Sequence, residues 1–165
     1  MKPATCPFTI LIDDRERRGG YTFQGLHADA AQQHRLLVVP TREVRLHTGD
    51  YSIEGLEDLI TIERKTLPDL YGSLGKHGRE RFEAEHQRMA AMAYAAVVVE
   101  ADLATILARP PAESKLHPKS VLGTIASWSD RYGVHWWFVG GRRLSEIIVF
   151  RKLRTLWEHY SKQEQ

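Results

Sequence analysis

"GDYSIEGLEDLITIERKTLPDL", residues 49–70, decides how this chain is read. Tyr51 and Ile53 alternate with Ser52 and Glu54, and Ile60 and Ile62 alternate with Thr61 and Glu63. A period of two is that of a strand with one face toward a core. The turn-like "EGLED" between the two runs predicts a β-hairpin, and Pro68 fits the first turn of a short helix over "LPDLYGSL". Strand alternation sets Glu63 and Lys65 on one face and Arg64 on the other. Three ionisable groups, Asp50, Glu63 and Lys65, therefore sit on strands that otherwise head into a core.

Outward from the hairpin, the chain reads as alternating strands and helices. "FTILID" (8–13) and "AAVVVEA" (95–101) are short, β-branched, apolar runs expected as buried strands. "LLVVPTREVRLH" is expected to be extended, with Pro40 marking a bend or an edge. "QGLHADAAQQHRL" (24–36) reads as a helix with a stripe at Leu26, Ala30 and Ala31. "RERFEAEHQRMAAMAY" (79–94) is a second, with Phe82, Met89 and Met92 inward. A third begins at Lys119 with Val121, Leu122, Ile125, Trp128 and Tyr132 on one face and stops at Gly133. "VHWWFVG" supplies a strand in which core packing is favoured over base stacking, and a last helix runs from about Arg142 to Tyr160. The order predicts an α/β fold, a central mixed sheet flanked by helices.

Composition narrows the classes. At 165 residues with 42% hydrophobic and 27% charged residues, the chain suits one soluble domain. No apolar run approaches the roughly 20 residues that span a bilayer, so no membrane partner is expected. The single cysteine, Cys6, near a terminus expected to fray, excludes an internal disulfide framework and points to a reducing, cytoplasmic setting. The net charge of +2 is too small to argue for nucleic acid by itself. Basic residues nevertheless cluster at Arg15, Arg17 and Arg18; at Lys76, Arg79 and Arg81; at Arg142 and Arg143; and at Arg151, Lys152 and Arg154. Eight histidines show no metal-ligand spacing. His77, in the "GKHG" loop, is a weak candidate for a phosphate, and Glu100, at a strand end, is a weak candidate for a further acid in the site.

Two carboxylates converging from adjacent strands can hold a hard divalent cation such as Mg²⁺. A lysine on the same face can orient an attacking water or stabilise the charge that develops on phosphorus oxygens. Taken alone, D-x12-E-x-K also describes an exposed hairpin edge whose charges discourage aggregation.

The surrounding residues resemble the XPF-type structure-specific endonucleases, whose nuclease domain carries GD followed by ERKxxxD within the PD-(D/E)xK pattern. Gly49-Asp50, Glu63-Arg64-Lys65 and Asp69 match that signature, and Asp13, Arg15 and Glu16 match the preceding D-x-R-E element. "YGSLGKHGRERFEAE" is similar to the family's glycine-rich loop and following helix, with Arg79 or Arg81 as its arginine. The resemblance covers nearly the whole chain and implies a restriction-endonuclease-like nuclease core. It implies Asp50 and Glu63 as ligands of Mg²⁺, for which Mn²⁺ can substitute. It implies Lys65 as the catalytic lysine, Asp13 and Asp69 as auxiliary acids, and Arg64 as a brace or a DNA contact. Arg15, Lys76, Arg79 and Arg81 follow as DNA-backbone candidates.

Larger relatives carry helix-hairpin-helix or helicase domains. This chain, ending at Gln165, is expected to be one stand-alone prokaryotic or phage nuclease domain over residues 1–165. The implied activity is metal-dependent cleavage of DNA, at branched or single-strand/duplex junctions, in repair, recombination or phage DNA processing. A non-catalytic DNA-binding or scaffolding module is the alternative. Action on another nucleic acid or at a fixed sequence is a third reading. A homodimer through the last helix, rich in Leu and Trp, is expected.

Overall fold

Tyr94–Val99 shows how the two sides of the molecule are built. All six residues are buried, and their side chains alternate between two cores. Tyr94, Ala96 and Val98 pack on one side with Ile10, Tyr51, Ile60 and Ile62. Ala95, Val97 and Val99 pack on the other with Leu70, Phe82, Val121 and Trp128. A strand buried on both faces needs cover above and below, which only a layered α/β arrangement supplies.

The computed structural model describes residues 2–16, 19–29 and 34–163. Its strands are β1 (Ala4–Thr5), β2 (Ile10–Asp13), β3 (Leu26–His27), β4 (Leu36–Val38), β5 (Thr41–Val44), β6 (Tyr51–Ile53), β7 (Ile60–Lys65), β8 (Tyr94–Val99) and β9 (His135–Phe138). Its helices are α1 (Leu67–Leu74), α2 (Arg79–Met89), α3 (Leu103–Ala108), α4 (Pro118–Tyr132) and α5 (Arg142–Ser161), and a short 3-10 turn covers Asp14–Glu16. Among the described residues, six strands form one sheet in the order β5-β2-β6-β7-β8-β9, and β1-β4-β3 form a small second sheet. The pairs β2–β6 and β6–β7 are antiparallel, whereas β2–β5, β7–β8 and β8–β9 are parallel. The expected central mixed sheet flanked by helices is the fold observed.

The hairpin of β6 and β7 forms as the alternation predicts, with Tyr51 opposite Ile62. Helix α1 starts at a Thr66 cap whose hydroxyl accepts the Asp69 N–H, and Pro68 lies in its first turn. On the opposite face of the sheet, Val149, Phe150, Leu153 and Leu156 of α5 cover the core of β2, β6 and β8.

Several expectations are corrected. The helix over 24–36 is absent from the described part of that stretch, and Ala30 and Ala31 lie outside the described residues. Leu26 pairs with Leu37, and His27 with Leu36, as antiparallel strands. Gly25 at φ 68° breaks a helical start, and burial of Leu26 and Leu37 in the core that α5 also covers overrides helix propensity. Helix α2 stops at Met89, and Tyr94 belongs to β8. In α4 the buried face is Val121, Thr124, Ile125 and Trp128, while Leu122 is exposed. Cys6 does not fray: it is buried, and its N–H donates to the Val38 carbonyl at 2.8 Å. Strand β9 lies at a sheet edge; Trp136 and Phe138 pack on the core as expected, but Trp137 is exposed with Lys152 near its ring. No helix among the described residues is long and apolar enough to cross a membrane.

His86 lies fully buried in α2 against Phe82, Trp128 and Trp136. Its Nδ1 is 2.9 Å from the Phe82 carbonyl, which fits a donated N–H, and its Nε2 has no hydrogen-bond partner among the described residues. Burial pushes its pKa below the ordinary histidine value. The unfolded chain therefore takes up this proton near pH 6.5 while the folded chain does not. The neutral ring's contribution is intact above that pH and is lost progressively as pH falls toward the lowered folded value. Urea unfolding should show wild type losing stability relative to His86→Gln between pH 7.5 and 5.5. Parallel stability curves for the two proteins would contradict a neutral buried imidazole.

Candidate active site

Gly49 is the first requirement of the site. Its φ is 76°, and a Cβ placed there would sit 1.9 Å from the Thr61 hydroxyl on β7. That hydroxyl donates to the Thr48 carbonyl at 2.8 Å. The backbone thus passes so close to β7 that only glycine fits, and Asp50 is delivered beside Glu63. The Asp50 N–H donates to the Ile62 carbonyl at 3.0 Å. Its carboxylate returns to accept the Arg64 N–H at 2.8 Å.

Strand β7 then divides its side chains as alternation requires. Glu63 and Lys65 face the cleft, with Lys65 Nζ 3.0 Å from Glu63 Oε1 and 4.6 Å from the centre of the Phe82 ring. Arg64 faces the other way. Its guanidinium meets Glu100 at 2.7 Å and Glu16 at 3.3 Å and lies over the Tyr21 ring. Tyr21 donates its hydroxyl to Glu100 at 2.7 Å, and the Tyr51 hydroxyl donates to Glu16 at 3.1 Å. Arg64 is a brace. The same contacts take Glu100 away from Asp50 and Glu63, so it is no third acid beside them.

The cleft in front of these residues has a volume of about 570 Å³, and Asp50, Glu63, Lys65 and Asp69 are among its lining groups. Burial raises the Asp50 pKa to about 7, with help from the Glu16 charge. Burial and the neighbouring Asp50 push Glu63 well above the ordinary range, against the opposing pull of Lys65. Burial disfavours the Lys65 ammonium, but the Glu63 charge outweighs it, and the net shift is upward.

Two sequestered carboxyls side by side resist joint ionisation, and one ammonium cannot neutralise both. An oxygen-preferring dication relieves that conflict, so the donor set fits Mg²⁺ or Mn²⁺. Among the described residues no group of three or more His, Cys, Asp or Glu is arranged to hold a metal. The candidate ligand set is the pair, which suits an ion that retains several waters.

A family model described as the ERCC4 domain matches residues 12–149. The chain belongs to the ERCC4 domain family. Among solved structures it is similar to XPF from Aeropyrum pernix, with a TM-score of 0.64 at 19% identity over 89% of this chain and 60% of that one. It is likewise similar to XPF from Aeropyrum pernix in complex with DNA, with a TM-score of 0.65 at 19% identity over 92% of this chain and 66% of that one. The chain thus spans less than two thirds of the length of either structure. No curated protein matches it. These likenesses show that the chain shares the fold of those XPF structures.

Within this ERCC4 domain the remaining sequence candidates fall into two groups. Asp69, exposed near the start of α1, and Arg81 of α2 line the cleft, as does Arg15. Asp13 is fully buried and saturated: it accepts from the Arg15 side chain at 2.6 and 3.0 Å, the Arg15 N–H and the Leu46 N–H. It holds the cleft wall without lining the cleft. Arg79 turns to α4, donating to the Thr124 hydroxyl at 3.0 Å and lying over Trp128. Lys76 and His77 lie outside the cleft, in a neighbouring hollow.

Of the other basic clusters, Arg142 and Arg143 bond carbonyls of Gly20, Gln24 and Gly25, and Arg151 and Arg154 pair with Asp29. Arg17 and Arg18 lie outside the described residues. Sequence reasoning missed Glu85, whose carboxylate lines the cleft and receives the Gly49 N–H at 3.3 Å. Its place one turn after Arg81 on α2 was the available signal.

Gly49→Ala should lower unfolding stability by about 3 kcal/mol or more, because the new methyl overlaps Thr61 at a positive φ. Thr61→Ala in the same chain should recover part of the loss, and simple additivity in a double-mutant cycle would disprove the close approach. Arg64→Ala should cost about 3 kcal/mol by leaving Glu16 and Glu100 without their shared cation. Arg64→Lys should recover little, since an ammonium lacks the fork that reaches both acids. Chemical denaturation checks both.

Proposed function

We propose that this ERCC4 domain is a metal-dependent DNA endonuclease that hydrolyses phosphodiester bonds, acting on intracellular DNA at branched or single-strand/duplex junctions during repair, recombination or phage DNA processing. The observation that carries the reading is the convergence of Asp50, Glu63 and Lys65 on one wall of an open cleft. Family membership and the likeness to a DNA-bound XPF structure support DNA as the substrate. On this reading Asp50 and Glu63 would hold Mg²⁺, with Mn²⁺ as a substitute. A hard dication held there supplies charge neutralisation at a phosphate oxygen and a lowered pKa for coordinated water.

The chain's own residues do the rest. Lys65 stays protonated at neutral pH because its pKa is raised. It therefore acts as an electrostatic and hydrogen-bonding group rather than as a general base. Its bond to Glu63 holds the ammonium on the cleft side of β7, where it would face charge developing on a bound phosphate. The Arg64 N–H fixes one oxygen of Asp50, which pre-sets that carboxylate before substrate arrives. Asp13 and Asp69 serve as auxiliary acids: Asp13 sets the position of Arg15 and the Leu46 backbone, and Asp69 orders water at the cleft rim. Arg15 and Arg81, which both line the cleft, would meet the DNA backbone there.

Purified protein with Mg²⁺ or Mn²⁺ should cut labelled flaps or forks, and chelator should abolish cutting. Asp50→Ala, Glu63→Ala and Lys65→Ala should each reduce the rate by about 100-fold or more, as expected for loss of a group that stabilises transition-state charge. No cleavage across flap, fork, single-stranded and duplex DNA would defeat the reading. Undiminished cleavage by Glu63→Ala would defeat it equally.

A further inference from the structure

Gly72 in α1 has no steric reason to be glycine. Gly72 lies within the last turn of the helix, exposed, and a Cβ added there would meet nothing within 4 Å. Glycine in a helix costs up to about 1 kcal/mol relative to alanine. Nearby Gly78 has a packing reason, since its Cβ would stand 2.4 Å from the Gly72 carbonyl. Gly72 has no such reason.

Its location supplies one. Pro68 and Gly72 line the active-site cleft and also line a second hollow of about 330 Å³. That hollow shares Lys76, His77 and Ser114 with a third, of about 670 Å³, which ends at Lys115 and Leu116. The three form one trough that leaves the cleft, crosses α1 at Gly72 and runs between the 75–78 loop and the 111–116 loop. A side chain at residue 72 would stand in the saddle.

Arg15 and Lys65 in the cleft are paired with Asp13 and Glu63, but other cations along this route are not paired among the described residues. Arg45, Arg64, Arg143, Arg151 and Arg154 are tied to carboxylates. Arg81 and Arg88 in the cleft, and Lys76 and Lys115 beyond the saddle, form no ion pair among the described residues. Among the described residues, Glu113 is the one acid lining the two outer hollows. Hollows of this size take a nucleotide-sized group, and unpaired cations along a groove track a single strand's phosphates.

We propose that the trough carries the single-stranded arm of a DNA substrate away from the active site, over Gly72, with phosphates against Lys76 and Lys115. The proposal rests on the nuclease reading but needs no cleavage to test. Fluorescence anisotropy would compare a labelled duplex carrying a 12-nucleotide single-stranded arm with the same duplex trimmed to a 1-nucleotide arm, in Ca²⁺. Wild type should bind the long-armed DNA about 10-fold more tightly, and the Lys76→Ala/Lys115→Ala variant and Gly72→Trp should each bring that ratio toward one. The salt slope for the long-armed DNA should fall by roughly two in the double-lysine variant. Lys162→Ala, remote from the trough, should keep the wild-type ratio. Gly72→Ala should melt no lower than wild type, which shows that the fold does not need the glycine.

Equal wild-type affinity for both DNAs, or an unchanged ratio in Gly72→Trp with a wild-type melting temperature, would overturn the trough and leave the nuclease reading standing. No binding to either DNA would overturn both.

Discussion

The approach of the Gly49 backbone to Thr61 is the constraint on which the site depends. Strands β6 and β7 pair so tightly there that a methyl group has no room. The residue after the glycine must then emerge beside Glu63. A GD dipeptide ahead of an E-x-K strand is thus a steric statement before it is a chemical one. The chemistry follows because two carboxyls forced together in a partly dry cleft hold their charges poorly. An ammonium two residues further along the same face offsets only one of them.

The other face of β7 carries the counterpart. Arg64 anchors the strand end to the Asp14–Glu16 turn through Glu16 and to the end of β8 through Glu100. Tyr21 and Tyr51 stack beside it at 5.3 Å and bond the same acids. Three consecutive residues therefore do opposite things. Glu63 and Lys65 are held together on the cleft side, while Arg64 is locked into an ionic cluster that is equally buried. The cost of burying that cluster is met by near-complete hydrogen bonding, which is the condition under which buried charge is tolerated. What the active face requires in precision, the braced face supplies in rigidity.

Much of this was legible in the residue order. Alternation in 51–53 and 60–65 foretold the hairpin and the opposed directions of Lys65 and Arg64. The β-branched run at 95–99 foretold a central strand, and Gly133 foretold the end of α4, where it adopts φ 64°. The small sheet was not legible. "LHADAAQQHRL" has helix-forming composition, yet Leu26 and Leu37 lie in the core beneath α5, and that burial decides the matter. The roles of similar residues were not legible either. Arg79 and Arg81 are two apart on one helix, so they point to different sides, and only the position of α4 shows which one is taken up by packing. Glu85 carries no motif, and its carboxylate is seen to line the cleft and hold the Gly49 N–H only in the folded chain.

Sequence alone determined the local geometry. A period of two sets which face a residue occupies, and glycine or proline sets where the chain can turn, since both depend on the backbone within a few residues. The tertiary structure decided which charges meet. Whether Asp13 faces the cleft or an arginine, and whether Glu100 joins the site or the brace, depend on elements brought together from distant parts of the chain. Coulomb and hydrogen-bond energies fall away within a few ångströms of contact in a screened medium. Partners remote in sequence are therefore assigned only when the fold sets them side by side.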